Sequence, residues 1–191
     1  MKRAVVVAHP DDEILWGAGI VLRNPGDWTI ICCSIPQADP VRAVKFLDAV
    51  REIGAVPHVH HVVEPSANES MKYLDDIDLS IFDHIVTHGA AGEYGHLQHK
   101  DVHRHITRKY GKKALTFFGY RPDGAGEHKI ELTEFEAARK LKALKKYDHI
   151  HPFGGIKMPK WEALIDLYVK KAGMNFNVET YDGHFAGLSE V

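Results

Sequence analysis

The residues best placed to do chemistry lie in two short stretches, "AHPDDE" (residues 8–13) and "HGAAGEYGHLQH" (residues 88–99). In the first, His9 and Asp12 are three positions apart at the end of an apolar run, "RAVVV", close enough to share one metal ion. A catalytic zinc site takes three protein ligands and keeps one position open. The third ligand must come from elsewhere, and His96 or His99 in "GHLQH" is the natural source. Asp11 lies between His9 and Asp12 and could stand beside an activated water without being a ligand. Zinc lowers the pKa of bound water to about 7, so a neighbouring carboxylate can take its proton at neutral pH. The remaining histidine of the pair could stabilise an oxyanion or protonate a leaving group.

The elements that must position these residues follow from the apolar pattern. Strands are expected at Arg3 to Ala8, Trp28 to Ser34, Val56 to Val63, Phe82 to Thr87, Ala114 to Phe118 and Val178 to Tyr181. Helices are expected at Glu13 to Leu22, Asp39 to Gly54, Gln98 to Tyr110, Thr133 to Lys146 and Pro159 to Ala172. Pro40 and Gly54 bracket the second helix in the usual order, and Thr133 with Glu136 fits a capping box. Strands alternating with helices imply a mainly parallel sheet covered on both faces. The expected fold is a single α/β domain over residues 1–191, a Rossmann-like three-layer sandwich. In such sheets ligands sit beyond the carboxyl ends of the strands, where both charged stretches begin.

Composition narrows the function classes. A net charge of -2 gives no basic footprint for nucleic acid. No run approaches the roughly 18 apolar residues of a membrane span. The two cysteines, Cys32 and Cys33, are adjacent in an expected strand and point to opposite faces, so no disulfide framework is expected and the location is cytoplasmic. Several features have plainer uses. Glu13 suits a helix N-terminus, and the glycines of "WGAGI" suit close helix–sheet packing rather than a dinucleotide fingerprint. His103 and His105 are expected as partner or surface residues, and His58, His60 and His61 as surface or structural ones. His149, His151 and His184 sit in expected loops, where one could close over a substrate. "LTFFGY" could serve a core or a contact in a homo-oligomer.

"AHPDDE" followed by "GEYGHLQHKDVH" resembles the PIG-L/LmbE-like family of metal-dependent N-deacetylases, as do, more weakly, "VRAVKFLDAVREIGA" and "KLKALKKY". By motif position the resemblance implies His9, Asp12 and His99 as zinc ligands and Asp11 as general base. It implies His96 as oxyanion stabiliser or acid to the leaving amine, Tyr94 as a carbonyl-polarising group, and Arg42 as a substrate-binding residue. The implied reaction removes an N-acetyl or N-acyl group from an amino sugar such as an N-acetylglucosamine conjugate. The implied cofactor is Zn²⁺; Fe²⁺ suits the same donors. Gln98 stands where that family often has Asp beside the motif histidine, which implies a lower pKa for His96. A non-catalytic sugar- or nucleotide-binding module and a metal hydrolase of a non-sugar amide or a phosphoester are the alternatives.

Overall fold

The chain starts with a strand because Ala4, Val5, Val6 and Val7 can be covered on both faces, and all four are fully buried. The computed structural model describes residues 1–35, 41–60, 71, 74–120, 126–147, 152–153, 156–157, 165–166, 169–170 and 174–188. Its elements are β1 (Arg3–Val7), α1 (Asp12–Arg23), β2 (Trp28–Cys32), α2 (Val41–Glu52), β3 (Val56–Val59), β4 (His84–Thr87), α3 (Gly92–Gly95), α4 (Leu97–Tyr110), β5 (Ala114–Phe118), β6 (His128–Glu131), α5 (Glu134–Leu144), β7 (Pro152–Phe153), β8 (Ile156–Lys157) and β9 (Val178–Gly183). Seven strands form one sheet in the order β3-β2-β1-β4-β5-β9-β6, and β7 and β8 pair separately. The first five are parallel; β9 runs antiparallel to both β5 and β6.

Strand alternation builds the layers. Val5 and Val7 face a core with Ile14 and Leu15 of α1, Phe46 and Val50 of α2, and Leu144 of α5. Ala4 and Val6 face the other way, against Leu74, Leu79 and Val102 and Ile106 of α4. Cys32 falls in the first core and Cys33 in the second, as alternation requires, and both thiols are free. The expected α/β sandwich with a mainly parallel sheet is what forms. No helix among the described residues is long and apolar enough to cross a membrane.

Several boundaries differ from expectation. β1 and β2 end at Val7 and Cys32, short of the expected Ala8 and Ser34, and β3 is described to Val59, with residues 61–63 of its expected span outside the described residues. The expected helix at Pro159 to Ala172 lies mostly outside the described residues. β6 was not expected: "HKIE" is only four residues at a sheet edge, with one side chain, Ile130, fully buried.

α5 begins as its sequence demands. Thr133 accepts from the Glu136 N–H and the Glu136 side chain accepts from the Thr133 N–H. Arg23, at the end of α1, bonds both oxygens of Glu136 at 2.8 Å. The Arg23 hydrogen bonds, against some burial, and those of Thr133 hold the Glu136 carboxyl down at about 2. The unfolded chain therefore binds more protons than the folded one as pH falls from about 4.5 toward 2. The stabilisation is complete above that window and is lost on descending through it. Urea midpoints at pH 6 and pH 3 should thus fall less for Glu136→Gln than for wild type; equal falls would contradict this assignment.

Candidate metal centre

The sheet order creates the crevice. From β1 the chain steps outward to β2 and β3, then returns to the opposite side of β1 as β4. The loops leaving β1 and β4 therefore diverge between adjacent strands, and a binding crevice opens at such a switch point. His9, Asp11 and Asp12 follow β1; His88, Glu93, Tyr94, His96 and His99 follow β4.

The turn after β1 is strained and firmly held. Asp11 has φ 108° and ψ −29°, a left-handed backbone that costs a non-glycine residue about 1–3 kcal/mol. Its N–H donates to Glu13 Oε2 (2.9 Å) and its carbonyl accepts from Ile14 and Leu15 N–H (3.0 and 2.9 Å). Burial of Ile14, Leu15 and Trp16, each about 1.5–3 kcal/mol, offsets the strain. Glu13 is fully buried, and its second oxygen accepts from the Tyr147 hydroxyl at 2.5 Å. Burial pushes the Glu13 carboxyl up to about 8. Glu13 lies in the first turn of α1, as expected, and from there it also clamps the backbone of Asp11. Among the described residues one other non-glycine residue has positive φ, Glu93 at 55°, and it lies in the same crevice.

Three potential donor atoms meet. His9 Nδ1 is 3.2 Å from Asp12 Oδ2, His99 Nε2 is 3.3 Å from the same oxygen, and the two ring nitrogens are 3.3 Å apart. Donors about 2.0–2.1 Å from a tetrahedral centre lie about 3.3 Å from one another. Two imidazoles and one carboxylate could therefore hold a zinc-class cation, and the same set suits Fe²⁺. The outer atoms are also engaged. Gln98 Oε1 accepts from His9 Nε2–H, which leaves Nδ1 facing inward, and Trp16 Nε1 donates to Asp12 Oδ1 (3.2 Å). Such outer partners fix the orientation of metal ligands. Burial pushes the Asp12 carboxyl up, but the His99 charge and the bonds from His9 and His99 outweigh it and hold it well below the usual range. Burial also opposes a charge on His99, yet Asp12 and Glu93 raise that imidazole to about 10. The two shifts are one interaction seen from its two sides, the His99 ring beside the Asp12 and Glu93 carboxylates.

Two further donor groupings occur among the described residues, His9 with His96 and His99, and Asp12 with His88 and His99. His88 is fully buried and stacks on His99 with centroids 3.9 Å apart. Its Nε2 accepts the Ala8 N–H at 2.9 Å, so that lone pair is taken. His96 is half-buried, stacked on His99 (4.5 Å) and edge-on to His9 (4.8 Å), and its Nδ1 has no hydrogen-bond partner among the described residues.

The remaining expected residues fall around this centre. Arg42, in the first turn of α2, forms an ion pair with Asp11 Oδ2. Burial, opposed by Arg42, raises the Asp11 carboxyl to about 6. The Tyr94 ring lies 5.6 Å from those of both His96 and His99 and 6.4 Å from Trp16. Burial and the charges of His99 and His9 press His96 down to about 4. The Gln98 side-chain oxygen meets His9, and what lowers His96 is its burial and the neighbouring rings.

Other histidines are elsewhere. His103 donates from Nδ1 to the His88 carbonyl (2.9 Å), His105 is buried near Asp75, and His184 packs edge-on against His84. His58 is exposed and His60 half-buried. His61, His149 and His151 lie outside the described residues. Sequence reasoning passed over His88, Glu93, Trp16 and Tyr147. The signal for His88 and Glu93 was their place in the loop that follows a buried strand at the same sheet edge as "HPDDE".

No family model matches the chain. It is 25% identical over 122 residues to the uncharacterized protein L374 of Acanthamoeba polyphaga mimivirus, covering 52% of this chain and 54% of that protein. The chain thus spans about half the length of the relative it matches. Solved structures share the fold. A deacetylase of the teicoplanin biosynthesis pathway, in complex with teicoplanin, superposes with TM-score 0.57 and 11% identity over 95% of this chain and 97% of that one. The A40926 pseudoaglycone deacetylase Dbv21 gives 0.55 and 16% over 76% and 81%. A zinc-inhibited form of teicoplanin deacetylase Orf2 gives 0.53 and 11% over 77% and 84%. At these identities the likeness is one of fold.

Proposed function

We propose that this chain is a metal-dependent N-deacetylase of the PIG-L/LmbE-like type, a single deacetylase domain acting on an N-acylated amino sugar or sugar conjugate. The observation that carries the reading is the triangle of His9 Nδ1, Asp12 Oδ2 and His99 Nε2, with Asp11 and His96 beside it at the switch point. The names of the structures that share the fold support it: all three are deacetylases, and one was solved in complex with teicoplanin.

His9, Asp12 and His99 would hold the cation. A bound zinc-class ion supplies Lewis acidity, lowering the pKa of water toward about 7 and polarising an amide carbonyl. Asp11 takes a proton from the attacking water at a carboxylate oxygen, and Arg42 fixes the orientation of that carboxylate while facing substrate. The proton held on Asp11 passes to the leaving nitrogen as the C–N bond breaks, giving a carboxylate and a free amine, and the neutral His96 ring, whose Nδ1 has no partner among the described residues, hydrogen-bonds the developing oxyanion. Tyr94 lies against the same rings and contributes to the wall that receives the acyl group.

Metal stoichiometry tests the ligand set. Wild type should hold one zinc per chain. His9→Ala, Asp12→Ala and His99→Ala should each lose it, while His96→Gln should keep it and lose about 10²–10³-fold in kcat. Zinc lost from His96→Gln but kept by Asp12→Ala would replace this triad with His9, His96 and His99.

A further inference from the structure

One fully buried carboxylate gathers three hydrogen bonds behind the proposed metal centre. Glu93 Oε1 accepts from Gly89 N–H at 2.9 Å, and Glu93 Oε2 lies 3.0 Å from His88 Nδ1 and 2.5 Å from His99 Nδ1. The proton positions follow from the partner whose role cannot change. The Ala8 N–H can only donate, so His88 Nε2 is unprotonated and its proton sits on Nδ1, toward Glu93. Glu93 accepts from that N–H and from the His99 Nδ1–H on the same oxygen. His99 is then left presenting Nε2 to Asp12 Oδ2 and His9 Nδ1, each 3.3 Å away. His88 thereby links the end of β1, which carries His9, to the carboxylate that orients the ligand on α4.

We propose that Glu93 is the positioning residue of this centre: braced by Gly89 and His88, it holds His99 with Nδ1 protonated and Nε2 offered to the cation. The inference rests on the metal-centre reading above. The backbone supports it, because Glu93 occupies φ 55°, ψ −76° inside a glycine-flanked turn, a conformation that costs a non-glycine residue. A glutamine is no substitute. The pocket directs three N–H donors at two oxygens, and an amide would turn its own NH₂ on at least one of them.

The test compares wild type, Glu93→Gln and Glu93→Asp. Zinc affinity is read by competition with a chromophoric chelator, and ring protonation by long-range ¹H–¹⁵N spectra of ¹⁵N-histidine-labelled protein. Glu93→Gln should bind zinc about 10–100-fold more weakly, with Glu93→Asp between it and wild type. In zinc-loaded wild type His99 should carry its proton on Nδ1 and Glu93→Gln should weaken that preference, a change that a purely structural role would not produce, while His88 should carry its proton on Nδ1, facing Glu93. Wild-type zinc affinity in Glu93→Gln overturns the inference and leaves the metal centre standing. Should Glu93→Gln fail to fold, undiminished affinity in Glu93→Asp overturns it equally. Wild type without zinc affinity defeats the metal-centre reading instead. The His88 spectrum then decides on Glu93 alone, a proton on Nε2 overturning its role.

Discussion

Replacing Asp11 by asparagine is expected to lower kcat by about 10²–10⁴-fold, the usual contribution of a general base, while metal content and unfolding midpoint stay near wild type. Asparagine is the right probe because Asp11 occupies φ 108°, where Asn is tolerated far better than alanine. An alanine would confound lost chemistry with a strained backbone. The substituted amide could still accept from Arg42 through its carbonyl, so the rim of the site keeps its arrangement. What disappears is a carboxylate next to Asp12 able to take a proton. Asp11 is 3% exposed, so bulk water has little access to it and cannot easily replace it as a base. Activity within about threefold of wild type, with the metal bound, would remove Asp11 from the mechanism.

The second large effect is on stability. Lys140 and Glu179 are both fully buried and pair at 2.7 Å. Lys140 Nζ also donates to the Leu15 carbonyl at 3.2 Å, while Glu179 accepts the Gly19 N–H at 2.8 Å. The Tyr181 hydroxyl lies 3.3 Å from both the Trp16 carbonyl and the Ile20 N–H. Side chains from α5 and β9 thus reach both ends of two successive i to i+4 backbone pairs, Leu15 with Gly19 and Trp16 with Ile20, in α1, the helix that carries Asp12. Gly19 is required there, since a Cβ would meet Glu179 Oε2 at 2.6 Å. Lys140→Met leaves the Glu179 charge buried and unpaired, so a loss of about 3–5 kcal/mol is expected in urea unfolding at pH 7. Adding Glu179→Gln removes that charge but keeps an acceptor for Gly19, and should recover a substantial part. A single-variant cost below about 1 kcal/mol, or no recovery in the double variant, would contradict the account.

These two effects differ in how visible their residues are in the sequence. "RAVVVAHPDDE" announces a buried strand that delivers charge to a sheet edge, and Thr133 with Glu136 announces the start of α5. Local rules set both, and both elements form. The gathering of His9, Asp12, His96 and His99 was legible because two charged loops after strands of one parallel sheet share an edge. The supporting contacts were not. His88, Glu93 and His99 have no helical or strand spacing; a sharp turn at Glu93 brings them together. Gln98 meets His9 across 89 positions, and that pairing exists only because β4 lies beside β1. Lys140 and Glu179 each look like solvated charges, and only the antiparallel arrival of β9 buries them against α1. Long-range contacts made by topology leave no local trace in composition or periodicity.

The measurement that bears most directly on the central claim is free-amine release from a panel of N-acetyl sugars and nucleotide sugars by zinc-reconstituted protein, with and without a chelator. The account predicts release from at least one N-acetylated sugar, abolished by the chelator and restored by zinc. Metal-loaded protein that binds members of the panel without releasing amine would contradict it and point to a binding module on this fold.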